Sequence, residues 1–364
     1  MSFQSIPKRI SRRTAGAALA LAATVLMGAS PWARAEALPD TIRFGGFGQG
    51  FGKPYGVALL AIAQGRNFIA DEFKGTPVKF TYEYFTGTGP AINEAITNGQ
   101  LDFAQYGALP NIVGRAAGLP TEVLASYGYS NTFFVARTGL PIKSVADLKG
   151  RRVAVTKGTV IHWALLKTLQ DNGLKVSDIT LVDLKTADQL AALAAGSIDA
   201  ALGTSSVLPL RDQGVVQVFY TSKETGVKAA GFGAITVTES FERKYPEATA
   251  RVTRGLVRAA EWLSHDENRE EALRIWSLSG VGVPALREEF AGQSFKDVFN
   301  PRVDAFFVSQ YRDALAFSKD EKLIRKEFDL DSWFVPGYVE KALVDLKLTQ
   351  LWLKRSADGV ASGF

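Results

Sequence analysis

Short apolar runs alternate with single stretches of helical spacing over the first two thirds of the chain. Residues 41–44 alternate apolar and polar side chains and end in the turn Gly45-Gly46-Phe47-Gly48-Gln49-Gly50. Residues 55–68 follow with Val57, Leu60, Ala61 and Phe68 at helical spacing. Residues 78–84 read as a second strand, broken by Thr86-Gly87-Thr88-Gly89-Pro90 before a helix over 91–98. A third, very short strand over 101–104 is closed by Tyr106-Gly107, and a further helix begins near Pro110. Strands of this length alternating with single helices predict α/β layers and a mostly parallel sheet.

The same order recurs from about residue 132. Asp147-Leu148-Lys149-Gly150 leads into a strand over 152–155, and Lys157-Gly158-Thr159 opens a helix over 160–172. A strand over 179–184, a helix over 187–195 and a strand over 198–202 complete the unit. The phrases Asn98-Gly99-Gln100-Leu101-Asp102 and Ala195-Gly196-Ser197-Ile198-Asp199 are near repeats, each a helix end near glycine followed by a strand. Two similar α/β lobes are the inference. After about Gly233 the pattern turns helical, most clearly over 245–264 and 269–277, and the tail over 304–354 is mainly helical.

The first 35 residues read as an export leader. Ser11-Arg12-Arg13-Thr14 precede an apolar Ala/Leu-rich run, and Ala33-Arg34-Ala35 is a small-x-small cleavage site. The paired arginines resemble a twin-arginine signal, which exports folded proteins. The run is shorter than the roughly 20 residues of a bilayer span. Cleavage changes the charge: the leader holds five of the 42 basic residues, leaving 37 against 37 acidic ones. A nucleic-acid partner needs a net basic footprint, so none is expected. There is no cysteine, which excludes a lipid anchor, a thiol nucleophile and thiolate metal sites. His162 and His265 lie far apart, and neither a metal nor a cofactor is expected.

With these phrases in place, the sequence resembles the periplasmic substrate-binding proteins of ABC importers, in the aliphatic sulfonate, nitrate and taurine branch. The resemblance rests on Ala91-Ile92-Asn93-Glu94-Ala95 through Asp102 and on Leu140-Pro141-Ile142-Lys143-Ser144-Val145-Ala146-Asp147-Leu148-Lys149-Gly150. It also rests on Arg152-Val153-Ala154-Val155-Thr156-Lys157-Gly158-Thr159, with His162 shortly after. It implies a type II two-lobed α/β binding protein with two crossover strands and a helical C-terminal tail. Lobe 1 would comprise 38–131 and 234–305, lobe 2 132–233, and the helical region 306–364, with crossovers near 131–135 and 233–237. The implied function is capture of a small organic anion, an alkane or aryl sulfonate or a sulfate ester, by a soluble periplasmic monomer that delivers it to an importer permease. Nitrate or a thiamine-pyrimidine precursor is the alternative, and some relatives of the latter kind are enzymes.

Matching the family's pocket phrases places Gln49, then Thr88 and Gly89, then Gly107 and Ala108, on one side of the cleft. Gly158, Thr159 and Val160 lie opposite, with His162 in the same helix start. Where the family tends to carry tryptophan-aspartate-proline, this chain has Gly203-Thr204-Ser205-Ser206, a smaller, hydroxyl-bearing wall. The physical case is independent: unpaired backbone N–H groups at helix starts suit an anion. Hydroxyls of Thr88, Thr159, Thr204 and Ser205 would complete a neutral cage. Thr159 also fits a plain helix cap, residues 86–90 a plain turn, and Lys157 the solvent edge. Tyr106, Tyr129 and Phe232 sit at turns or crossovers and could form an apolar slot for an organic tail. The Glu288-Glu289 pair reads as solvated surface. The stretch from Gly45 to Gly52 lacks the Gly-x-Gly-x-x-Gly spacing of a dinucleotide fingerprint, and no Gly-x-Ser-x-Gly elbow stands out.

Overall fold

The computed structural model describes residues 38–86, 88–224 and 231–363. The expected export leader lies outside them.

Among the described residues, ten strands build two five-stranded sheets. They are β1 (Thr41–Phe47), β2 (Lys79–Phe85), β3 (Phe103–Gly107), β4 (Thr121–Ser130) and β5 (Phe133–Arg137), then β6 (Arg152–Val155), β7 (Thr180–Asp183), β8 (Ala200–Gly203), β9 (Val216–Thr221) and β10 (Gly231–Thr238). The first sheet runs β2-β1-β3-β10-β4 and the second β7-β6-β8-β5-β9. In each, the strand that arrives from the other sheet, β10 or β5, runs antiparallel to both neighbours, and the leading pairs are parallel. The two orders are therefore equivalent strand for strand, as the repeated phrases led one to expect.

The repeat has a chemical basis. Asp102 accepts from the Arg43 backbone N–H at 2.8 Å, and from its guanidinium Nε at 3.0 Å and Nη2 at 2.7 Å. Asp199 does the same for Arg152, at 2.9, 3.3 and 2.8 Å. Each arginine also reaches the carbonyl of the preceding helix-ending glycine, Gly99 or Gly196. One carboxylate thus fixes the start of β1 against the loop entering β3, and another the start of β6 against the loop entering β8.

The chain leaves the first sheet at Asn131-Thr132. It is back in the first sheet at Gly231, where β10 begins, so the expected return at 233–237 lies inside β10, whose residues are all buried. Helices cover the sheets: α1 (Ala58–Gly65), α2 (Thr88–Thr97), α3 (Ala108–Ala116), α4 (Val160–Asp171), α5 (Thr186–Ala195), α6 (Pro246–Leu263), α7 (Val283–Glu289), α8 (Ala305–Asp320) and α9 (Gly337–Asp345), with further helices between, among them the expected one over Arg269–Ser277. α6 alternates polar residues with a buried face that includes Val252, Leu256 and Leu263. The C-terminal region closes with a small hairpin of Lys354–Arg355 and Ala361–Gly363. Trp276 is fully buried and donates from Nε1 to the Ala58 carbonyl at 3.0 Å. Rings of Phe290, Phe295 and Phe299 pack on it, each at 5.3 Å.

Candidate ligand-binding site

In parallel sheets the carboxyl ends of the strands feed into helix starts, and ligands collect there. Both sheets obey this rule here, and their strand ends face one cavity, partly open to solvent. Among the described residues, four helices of at least nine residues begin at it: α2 with Thr88 and Gly89, α3 after Gly107, α4 with Thr159, Val160 and Ile161, and α5 with Thr186. Each start carries unpaired N–H groups and the positive end of a helix dipole. The polar lining is Gln49, Thr88, Ser130, Thr156, Thr159, Thr186, Gln189, Thr204 and Ser206, and the apolar part includes Phe47, Tyr127 and Leu202. Among the described residues, no aspartate, glutamate, lysine, arginine or histidine lines it. This neutral, donor-rich surface can hold an anion through backbone dipoles alone.

Two side chains show how the donors divide. Thr88 lines the cavity, and its hydroxyl is buried without a hydrogen-bond partner among the described residues. Its φ is +52°, a region a β-branched residue rarely enters. Such strain costs roughly 1–3 kcal/mol and tends to gather at functional sites. The Thr159 hydroxyl, by contrast, is occupied: it donates to the Thr156 carbonyl at 2.7 Å and accepts from the His162 N–H at 3.3 Å. Its side chain is the helix cap that α4 requires, and its backbone faces the cavity.

The two sides of the cleft touch. Thr204 Oγ1 donates to Gln49 Oε1 at 3.4 Å. Gly107 lies so close to Val160 that a Cβ there would meet the valine Cβ at 2.7 Å. Gly158, at φ +72°, packs on Pro90, and Gly50, at φ +84°, on Thr186. The aromatic ring of Trp163, on α4, sits edge-on to Phe232 of β10 at 5.5 Å.

Of the expected site residues, Gln49, Thr88, Gly89, Gly107, Thr159, Val160 and Thr204 line the cavity. Gly158 stands just outside. The other expected residues are not among the lining residues. Tyr106 is wholly buried, packed in the core with Ile92 and Leu101. Phe232 and Ala108 are core residues too, packed with Trp163 and Tyr311. All three lie where a strand meets its turn, and their side chains take the face turned into the layer. His162 is buried, and its Nδ1 accepts from the Gly158 N–H at 3.4 Å, so it holds the turn. Burial lowers its pKa, helped by the charge of Lys157. Ser205 is turned away from the cradle, with its N–H on Glu289 at 3.1 Å. Tyr129 and Ser205 wall a neighbouring chamber instead. Lys157 is exposed, as expected.

Sequence reasoning missed Thr186, Gln189, Ser130 and Thr156. Thr186 was findable, because it opens the helix after β7 as Thr159 opens the one after β6. Glu289 was misread: it is 4% exposed, and burial pushes its carboxyl up to about 7. Among the described residues no group of histidines and carboxylates could hold a metal, and no helix is long and apolar enough to cross a membrane.

The fold and the interlobe cavity define a two-lobed ligand-binding protein of the periplasmic binding protein fold. Residues 83–270 match the NMT1/THI5-like family model, and the chain belongs to that family. It is 25% identical over 289 residues to a Bacillus subtilis (strain 168) protein provisionally named an aliphatic sulfonates-binding protein, covering 78% of this chain and 84% of that one. The structure of the periplasmic sulfonate-binding protein SsuA from Methylobacillus flagellatus KT superposes with a TM-score of 0.76 at 26% identity. That match covers 87% of this chain and 97% of the other. A mutant of the desulfurization enzyme DszB in complex with biphenyl-2-sulfinic acid shares the fold at a TM-score of 0.65 and 19% identity, over 84% of this chain and 99% of its own.

Proposed function

We propose that this protein is the periplasmic binding component of an ABC importer and captures an organic anion of the sulfonate or sulfate-ester class. The observation that carries this reading is the convergence of four helix starts on a cavity lined, among the described residues, by no charged side chain. A sulfonate spreads one negative charge over three acceptor oxygens, which suits many weak, neutral donors around it. The sulfonate-binding relatives support the ligand class. The lobes would close on the ligand about crossovers that include Asn131-Thr132, and the closed form would dock on the permease. Two further expectations are a lobe 2 that begins at about 132 and ends before β10 and a mature protein that is a monomer.

Binding is favoured over catalysis because the lining offers no acid–base pair among the described residues, and His162 is committed to the Gly158 turn. Native mass spectrometry of mature protein isolated from the periplasm tests the reading. A retained sulfonate or sulfate ester is the expected species. A nitrogen heterocycle, or turnover of the ligand by the isolated protein, would overturn it.

A further inference from the structure

Resting on the organic-anion reading above, we propose that the ligand carries a neutral hydrogen-bond donor, a hydroxyl or an amide N–H, close to its anionic head, and that Gln189 accepts from it. Gln189 stands on the first turn of α5, lines the cleft cavity and is 3% exposed. Its amide orientation follows from a chain of fixed donors. The Leu184 carbonyl can only accept, and it takes the Thr156 hydroxyl at 2.9 Å and Gln189 Nε2 at 2.7 Å. With its proton spent on Leu184, Thr156 Oγ1 accepts from the second N–H of Gln189 at 3.3 Å. Both amide hydrogens are thus engaged, and Oε1 has no partner among the described residues.

Such an oxygen changes what the cavity selects. The hydroxyls of Thr186 and Ser206 can turn to donate or to accept, so they suit many ligands. Gln189 Oε1 can only accept, and a buried acceptor left without a donor is penalised. The Thr156 carbonyl in turn accepts from the Thr159 hydroxyl that caps α4, at 2.7 Å. The acceptor therefore lies beside the starts of α4 and α5, where the anion is held, and a donor near the charged head meets it there. That donor has to be neutral. Among the described residues no carboxylate lines the cavity, and the positive ends of four helix dipoles oppose an ammonium.

Calorimetric titration of the mature protein with 2-hydroxyethanesulfonate, 2-fluoroethanesulfonate, ethanesulfonate and 2-aminoethanesulfonate decides the matter. Fluorine is close to a hydroxyl in size but donates nothing. The hydroxy compound is expected to bind at least about fivefold tighter than each of the other three. Gln189→Leu removes the acceptor and is expected to bring the hydroxy and ethane compounds within about twofold of each other, whatever affinity both lose. Ethanesulfonate or the fluoro compound matching the hydroxy one would overturn the donor proposal and leave the anion reading standing. Tightest binding of the amino compound would overturn the neutrality of the donor, and a hydroxyl preference that survives Gln189→Leu would overturn the role of Gln189. Failure of every sulfonate to bind would overturn the anion reading itself. Should Gln189→Leu not fold, the affinity order of the four compounds on the unaltered protein decides alone.

Discussion

Glu289 and Ser205 meet across the cleft: the Ser205 backbone N–H donates to the Glu289 carboxylate at 3.1 Å. The glutamate ends α7 beside the first sheet, and the serine follows β8 of the second. Asn131, at the outgoing crossover, binds the Glu289 carbonyl at 2.8 Å and Gln293 at 2.7 Å. The contact between the two sides therefore includes a buried ionisable group next to the outgoing crossover.

A pH dependence follows. Burial raises the folded carboxyl of Glu289 from 4.5 to about 7. Between those values the folded protein keeps a proton that the unfolded chain releases. Stability from this group therefore falls as pH rises through that window, and levels off above it. The full effect is on the order of 3 kcal/mol. Glu289→Gln keeps an acceptor for Ser205 without the charge. Thermal melts from pH 5 to 8 should show the variant more stable than the parent at pH 8, with the two converging toward pH 5.

Thr88 and Thr159 look alike in sequence but should separate in experiment. Thr88→Val removes a hydroxyl with no partner among the described residues and should weaken sulfonate binding about tenfold while leaving the melt almost unchanged. Thr159→Val removes a helix cap and should lower stability by ~1 kcal/mol. Calorimetry paired with thermal melts checks both, and a reversed pattern would show the hydroxyl roles to be misassigned.

Gly107 sets how closely the two sides approach. Its φ of −64° suits any residue, so alanine is excluded only by Val160 across the cleft. Gly107→Ala should weaken ligand binding at least tenfold and change the ligand-free melt little, because the methyl obstructs closure rather than folding. Unchanged affinity would mean that the cleft absorbs the methyl without cost.

The duplicated aspartates offer a stability test. Asp102→Ala and Asp199→Ala each strand a backbone N–H and an arginine, and should each cost ~1–2 kcal/mol after allowance for the exposed guanidinium. Asp331→Ala, which breaks an exposed pair with Arg312, should cost under ~0.5 kcal/mol. Chemical denaturation of the three variants measures the contrast.

Periodicity carried most of the architecture, because strand alternation and helix starts are local properties. It exposed the repeat, down to the aspartates that close each copy. The family resemblance, rather than periodicity, pointed to Gln49, Thr88, Gly89, Gly107 and Val160, which line the cavity. Periodicity failed where a side chain's direction depends on packing. Tyr106 and Phe232 stand next to turns, yet their rings face the layers, and no pattern along the chain sets which face a terminal strand residue presents. Glu289 failed for a similar reason: two adjacent glutamates on a helix point in different directions. Glu288 pairs with Arg211, while Glu289 is buried against the other side of the cleft.

Charge recognition by helix starts alone is the central claim, and one calorimetric comparison tests it most directly. Benzenesulfonate and benzenesulfonamide have nearly the same shape, but only the first is anionic at pH 7. Four helix starts, each contributing ~0.5–1 kcal/mol toward an anion, predict that the sulfonate binds at least thirtyfold tighter. Equal affinity, or preference for the sulfonamide, would contradict the account.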